Sequence, residues 1–430
     1  QRTASTMAAS PCLRKVCTLR GHEDRVWHVA WRPSSRPIIA STGADLTIRL
    51  WGTDPKKSDW HLLEEVDTSD HHGRTLRALA WDPNGVKLAV ASFDASISVW
   101  RTVEQQGTLK LECITVLSGH ENEVKSAAFS SSDKFFASCS RDRSIWVYDA
   151  EDTDEYECVA LLQSHSQDVK AVKWHPQQDV LFSCSYDDTI KVWGPDGDDW
   201  CCKETLQGHE STVWSLSFDS KGSHFVTCSD DRTLRIWAPT GTLPADFSPV
   251  ENAGSVQSSQ ARNVKQSSLK RSAFELVKAI SLRPLFRGDL VPATAPEAPA
   301  PAAPTAPTAP MANGGSKEAQ PRSRRACRSA PEDACCSWSC VSVLRDFHPR
   351  PVYSADWSPR SDLLASACGD DRIRVFQAED ESLLNWECVA NELAHKGDVN
   401  CVAWGPQTQS GLSLLASAGD DGAVVLWEFG

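Results

Sequence analysis

The chain has 430 residues, 44 of them basic and 57 acidic, for a net charge of −13. That balance argues against a protein built chiefly to grip nucleic-acid phosphates, and a hydrophobic content of 40% excludes wholesale disorder. No apolar run approaches the ~18 residues of a spanning helix, and residues 1–10 lack the hydrophobic stretch of a secretory signal. In chain order, residues 1–10 read as a flexible tail with Met7 as a candidate initiator, and Leu13 to Leu19 as a first strand.

From there a histidine recurs and an aromatic closes each unit. His72 leads to Trp100, His120 to Tyr148, His165 to Trp193, His209 to Trp237 and His348 to Phe376, each 28 residues on. His22 to Trp51 takes 29 residues and His395 to Trp427 takes 32. Six residues before each closing aromatic lies an aspartate: Asp45, Asp94, Asp142, Asp187, Asp231, Asp370 and Asp421. Four residues after each histidine comes Val26, Leu76, Val124, Val169, Val213, Val352 or Val399. Short apolar runs such as PIIAS and DVLFSCS follow, bounded by Pro, Ser, Asp and Gly. Strands of this length at even spacing, with no long helical period, read as all-β. Each unit ends on its third strand, and the fourth precedes the next histidine. The last unit stops one strand short at Trp427 to Gly430, so Leu13 to Leu19 is expected to complete it and close a ring.

The interval from His209 to His348 is 139 residues, where neighbouring intervals run 44 to 50. The excess reads as an insertion over 239–337, between propeller segments 11–238 and 338–430. It carries an Ala/Pro/Thr tract from Pro292 to Pro310 and a net charge of +4, against −17 for the remainder. Such a composition cannot bury a core and predicts disorder, with one short helix compatible with Ser272 to Ile280. Its basic run PRSRRACR reads first as solvated linker, with a nuclear-import signal as the alternative.

Seventeen Trp and sixteen Cys stand out in the composition. Cys139, Cys184 and Cys228 sit nine residues before a closing aromatic, where Ala91 and Ala418 stand in other units. Cys113, Cys158, Cys202 and Cys388 sit seven before a histidine. Cysteines locked to a repeat and exchanging with alanine behave as small buried hydrophobes, and no zinc spacing appears. Cys327, Cys335, Cys336 and Cys340 cluster at the end of the insertion; they read as adventitious, with metal binding as the lesser alternative. No bound metal or cofactor is expected. No Gly-rich phosphate loop, HExxH or GxSxG element is present, so no enzymatic activity is expected either.

These marks resemble the WD40 family. The resemblance implies a seven-bladed β-propeller with four antiparallel strands per blade. It also implies that His22, His72, His120, His165, His209, His348 and His395 bond the seven aspartates, a Ser or Thr and the closing Trp. Those sets are structural, and weaker ones are expected where Tyr148 and Phe376 replace Trp. Functional sites of the family gather at the central channel's mouth, three and five residues after each His and just before each Asp. The candidate partner-binding residues are therefore Arg25, Trp27, Arg77, Phe93, Lys125, Arg141, Lys170, Tyr186, Trp214 and Tyr353, with carboxylates from blades five and seven. Arg and aromatic residues are the types enriched at binding hot spots.

The strings GHENEVKS, YECVALLQSHSQDVKAVKWHP, SYDDTIKVW, GHESTVWSLSFD, CSDDRTLRIW, CGDDRIRVFQ and GDVNCVAW are similar to the WD40 subunits of the cytosolic iron–sulfur protein assembly machinery. The resemblance implies an adaptor in a targeting complex with a HEAT-repeat scaffold and a small adaptor subunit. It recognises iron–sulfur apoproteins and helps deliver clusters to cytosolic and nuclear clients, while touching neither nucleic acid nor membrane. Its place is the cytoplasm, with a nuclear fraction, and Arg141 matches the arginine of the family's CSRD string. The alternative is a WD40 peptide receptor of a ubiquitin ligase or chromatin complex.

Overall fold

Each repeat forms one four-stranded antiparallel sheet, and seven such sheets are arranged as a β-propeller. The computed structural model describes residues 12–53, 59–105, 108–151, 154–197, 199–240, 337–407 and 411–430, and no described residue is helical. In blade one the strands run outward in chain order: β2 (Val26–Trp31), β3 (Ile38–Gly43), β4 (Thr47–Thr53) and β5 (Trp60–Asp67). The innermost strands of blades two to seven are β6 (Leu76–Trp81), β10 (Val124–Phe129), β14 (Val169–Trp174), β18 (Val213–Phe218), β22 (Val352–Trp357) and β26 (Val399–Gln407).

The residue that opens each innermost strand, from Val26 in blade one to Val399 in blade seven, has no exposed surface. It packs across the gap between blades. Val26, Ile39 and Trp51 of blade one join Cys401, Ala416 and Leu426 of blade seven in one cluster. The core is therefore a series of apolar layers between sheets. Burying each aliphatic side chain there contributes roughly 1.5–3 kcal/mol. The tryptophans explain part of their abundance here. Trp31 Nε1 donates to the Ala403 carbonyl at 2.9 Å, Trp81 to Ala30 at 3.3 Å and Trp174 to Ala128 at 3.0 Å, so the indoles tie one blade to the next.

Ring closure follows the sequence expectation. β1 (Leu13–Arg20) pairs antiparallel with β28 (Ala423–Phe429), from Leu13 opposite Phe429 to Arg20 opposite Ala423. The last blade thus combines both ends of the described chain, in the order β1, β28, β27 (Ser413–Gly419), β26.

The insertion joins β20 (Leu234–Thr240) to β21 (Ser337–Leu344), the third and fourth strands of blade five. Thr240 lies opposite Ser337, and its hydroxyl donates to the Ser337 carbonyl at 2.7 Å. This pair sits at the end of the sheet away from Asp231 and His348. Residues 241–336 lie outside the described residues, and with them the expected disorder, the Ser272 to Ile280 helix, the basic run and Cys327, Cys335 and Cys336.

Cys340 requires a correction, because it does not belong with the insertion. It stands in β21 opposite Trp237, as Cys113 stands opposite Trp100, Cys158 opposite Tyr148, Cys202 opposite Trp193 and Cys388 opposite Phe376. All five thiols donate to the carbonyl two residues on, and burial raises those of Cys113, Cys158, Cys340 and Cys388 above the ordinary thiol range. Cys340 escaped the repeat because it lies eight residues before His348, one more than its counterparts.

Candidate functional site at the channel mouth

The mouth is built on the His and Asp loops. In blade four, Trp193 Nε1 donates to Ser183 Oγ at 2.8 Å, which donates to His165 Nε2 at 2.7 Å. His165 Nδ1 in turn donates to Asp187 at 2.9 Å, an order fixed by the carboxylate, which can only accept. The same His–Asp bond, 2.8–3.0 Å long, joins His22 to Asp45, His72 to Asp94, His120 to Asp142, His209 to Asp231 and His395 to Asp421. Burial alone would raise the Asp142 carboxyl, but the bonds from His120 and Ser144 outweigh it and hold the group at about 2. Each aspartate also accepts the amide two residues on, and the intervening residue is left-handed. Leu46, Ala95, Arg143, Asp188, Arg232 and Asp371 all have φ of 61–74°, and Gly422 takes the seventh place. That strain is sustained by the aspartate's bonds.

Blade six has the weaker set expected at Phe376, but blade three does not, and the expected His348–Asp370 bond is absent. Blade three is not weakened by Tyr148: His120 keeps 2.8 Å bonds to Asp142 and Ser138, and the Tyr148 hydroxyl bonds Ser138 in place of an indole. Blade six, by contrast, lacks the His–Asp bond altogether. His348 Nε2 meets Ser366 at 2.8 Å, but its buried Nδ1 has no partner, and Asp370 turns to the Arg374 guanidinium, with contacts of 2.5 and 3.1 Å. The cause is legible in the chain. In the other six blades the residue after the histidine donates its amide to the aspartate: Glu23, Gly73, Glu121, Ser166, Glu210 and Lys396. In blade six that residue is Pro349, which has no N–H.

Above this framework, a β-bulge interrupts every innermost strand one residue after its opening apolar residue. The bulged residues are Trp27, Arg77, Lys125, Lys170, Trp214, Tyr353 and Asn400, five places after each histidine. A bulge re-aims the side chain that the pleat would otherwise place in the sheet face. All seven line one depression of about 330 Å3 in the channel mouth. The loops that complete the rim are fixed in register. The amide before each Asp donates to the carbonyl three residues after each His, as in Arg141 to Glu123 at 2.9 Å and Asp230 to Thr212 at 3.0 Å.

Aromatic rings separate the charges of the mouth. Arg25 and Arg77 lie 5.6 and 5.0 Å from the Trp27 ring centre, and Lys125 lies 4.1 Å from that of Phe93. Lys170 sits 5.0 Å from Tyr186 and 5.1 Å from Trp214, which meets Tyr353 edge-on at 5.5 Å. Burial pushes the Lys125 ammonium down; Glu123 opposes this, and Lys170 and Arg77 add to it. Burial, with the charges of Asp398 and Asp230, pushes the Tyr353 phenol up to about 12.

Of the ten candidate residues, the structure brings Arg25, Trp27, Arg77, Phe93, Lys125, Lys170, Trp214 and Tyr353 into the depression. Arg141 and Tyr186 stand outside it on the rim. Arg141 is 54% exposed and leans on Glu123 and Asp168 at 3.7 and 3.9 Å, while Tyr186 is 49% exposed. The depression is completed by Asp230, Asp398, Asn400 and Asp420, the positions of blades five and seven from which the repeat predicts carboxylates. Below the bulges the channel widens again into a cavity of about 340 Å3, whose wall includes His28, Lys173 and Asp356. Among the described residues no three His, Cys, Asp or Glu side chains form a metal-sized group.

Comparison with known proteins agrees with this architecture. The chain is 32% identical over 193 residues to the "Probable cytosolic iron-sulfur protein assembly protein 1" of Mycosarcoma maydis, covering 35% of this chain and 42% of that protein. It is 34% identical over 151 residues to the "Probable cytosolic Fe-S cluster assembly factor" of Schizosaccharomyces japonicus, covering 35% and 23%. A Vanderwaltozyma polyspora protein, named like that of M. maydis, is 32% identical over 160 residues, covering 33% and 45%. The matches span less than half the length of each of these relatives. The WD domain, G-beta repeat family matches residues 13–52, 63–101, 111–149, 156–194, 200–238, 338–377 and 386–428, one segment per blade. With a match in every blade, and with those blades closed into one ring, the chain belongs to the WD40 family.

Proposed function

We propose that this protein is a non-catalytic adaptor of cytosolic iron–sulfur protein assembly, and that it engages its partners through the channel mouth. The observation that carries the assignment is its similarity to fungal proteins that are all named for cytosolic iron–sulfur assembly. The mouth supports an interaction role. It gathers four cations and four aromatic rings in one depression, on the face opposite the connection that carries the insertion. In six of the seven blades the His and Asp residues that could serve catalysis are instead occupied by blade-internal hydrogen bonds. On this reading the protein works in the cytoplasm, with a nuclear fraction. It joins a HEAT-repeat scaffold and a small adaptor subunit, and it presents apoproteins for cluster delivery without holding a cluster itself.

Affinity purification of the tagged chain, with co-purifying proteins identified by mass spectrometry, tests this. Recovery of iron–sulfur assembly factors and apoproteins supports the assignment; recovery of ubiquitin-ligase or chromatin subunits in their place overturns it. An Arg141→Glu chain tests the rim. The Arg141 side chain makes only long ionic contacts within the fold, so the variant should fold normally and selectively lose any partner that docks there.

A further inference from the structure

The cations of the mouth are not equivalent. Lys125 is neutralised by Glu123 at 2.6 Å and Lys170 by Asp168 at 3.2 Å, Arg25 lies 3.9 Å from the Asp24 carboxylate, and Arg141 leans on Glu123 and Asp168. Arg77 has no carboxylate within salt-bridge distance among the described residues. Its guanidinium lies 5.0 Å from the Trp27 ring centre, and its charge acts on Lys125 and His28. It is half-buried, and its bulge directs it into the depression.

The carboxylates of the depression show the reverse imbalance. Asp230 accepts from Trp214 Nε1 at 3.2 Å, Asp398 from the Tyr353 hydroxyl at 3.2 Å and Asp420 from Asn400 Nδ2 at 2.9 Å. All three donors are neutral, and no described cation bridges to these carboxylates. An uncompensated cation therefore shares one small depression with uncompensated carboxylates, and no salt bridge joins them. A group inserted between them meets both fields inside a partly desolvated neck, where charge complementarity is stronger than on an open rim. A purely acidic insert would be repelled by Asp398 and Asp420, and a purely basic one by Arg77.

We propose that the mouth takes a protein segment in which an acidic side chain lies within a few residues of a Lys or Arg, the acid on Arg77 and the base between Asp398 and Asp420. A volume of about 330 Å3 is at the small end of ligand pockets, which run from about 300 to 1,000 Å3, and it suits inserted side chains rather than a folded domain. This inference rests on reading the mouth as the partner surface, and it makes Arg77 the anchor in place of Arg141.

An array of random hexapeptides, probed with the purified full chain, tests it. Retained peptides should pair an acid with a base. The best of them should bind roughly tenfold or more weakly to an Arg77→Gln chain, as expected when one partner of a desolvated ion pair is removed. Asp398→Asn combined with Asp420→Asn should abolish the requirement for the base while leaving that for the acid. Arg77→Lys keeps the charge and should recover part of the affinity, which separates charge recognition from a folding defect. Equal retention of acid-only peptides, or unchanged affinity in Arg77→Gln, overturns the proposal. The array contains no iron–sulfur proteins, so such a failure leaves the assembly assignment standing. If instead purification recovers no assembly factors, the charge preference of the mouth is still measured.

Discussion

Ser183 accepts from Trp193 and donates to His165, so one hydroxyl satisfies two buried groups that have no other route to a partner. Ser183→Ala should leave both unpaired and cost about 2–6 kcal/mol, at about 1–3 kcal/mol per orphaned group. Ser366→Ala in blade six should cost about half as much. Phe376 offers Ser366 no hydrogen bond there, and only His348 Nε2 loses its partner. Denaturant unfolding of both variants checks the ordering; equal losses would show that the indole bond contributes nothing. The same blade shows what a single residue can undo. Pro349 withholds one amide, Arg374 supplies a guanidinium, and Asp370 leaves the histidine with which it was expected to pair. The dipeptide His348-Pro349 announced the missing donor, but not where the aspartate would turn. Arg49 and Arg235 stand two places before the aromatic in blades one and five, as Arg374 does here, yet Asp45 and Asp231 keep their histidines, so an arginine draws the aspartate away only where the amide is also missing.

Strands β1 and β21 reach their places from opposite directions in the chain, and each is held by its ladder rather than by a short connection. Deleting residues 1–19 removes nearly all of β1 and leaves β28 with unpaired amides and carbonyls along its outer side. An open edge of this kind recruits another strand. The truncated chain should therefore self-associate, as a rise in mass by light scattering, while the full chain stays at one mass under the same conditions. The insertion should behave in the opposite way. Thr240 and Ser337 already face each other at the hairpin's end, so replacing 241–336 with a short Asn-Gly turn asks nothing new of either strand. The melting temperature should stay within about 3 °C of the full chain, equivalent to about 2 kcal/mol in a domain of this size. A larger drop would mean that the insertion itself supports blade five. Repeat spacing located both strands. The bulges that place Trp27, Arg77 and Lys125 in the channel were visible only as residues off the apolar alternation, because a bulge is defined by the partner strand it slips against.

Across the whole ring, buried imidazoles and paired carboxylates couple stability to pH in two stages. His348 is held down at about 3 by burial and by Arg374, and His28 at about 3 by burial with Lys173 and Arg77. Both stay neutral in the fold but take up a proton when unfolded below their ordinary pKa of 6.5. Their contribution is therefore complete above that pH and is lost as pH falls toward 3. Asp142 and Asp421 are held at about 2; burial opposes this, and their histidines outweigh it. Their contribution is complete above the ordinary carboxyl value of 3.8 and is lost between there and about 2. The melting temperature should be level above neutrality, decline gently from pH 6.5 to 4 and fall steeply below 4. A melting temperature that rose on acidification from 6.5 to 5 would contradict the neutral assignment of these two histidines.

The sequence by itself determined the number of blades, the partner strands within each, the closure by β1 and the positions that ring the channel. All of these follow from apolar periodicity and from three polar marks at fixed spacing. It did not determine which of those positions meet. Eight candidates share one depression while Arg141 and Tyr186 stand outside it. Only the tertiary structure separates the neutralised cations from Arg77, because neutralisation is a distance between side chains from different strands and blades. Periodicity records which way a side chain points from its own strand. Charge balance in a channel depends on what the other six blades bring to the same few ångströms.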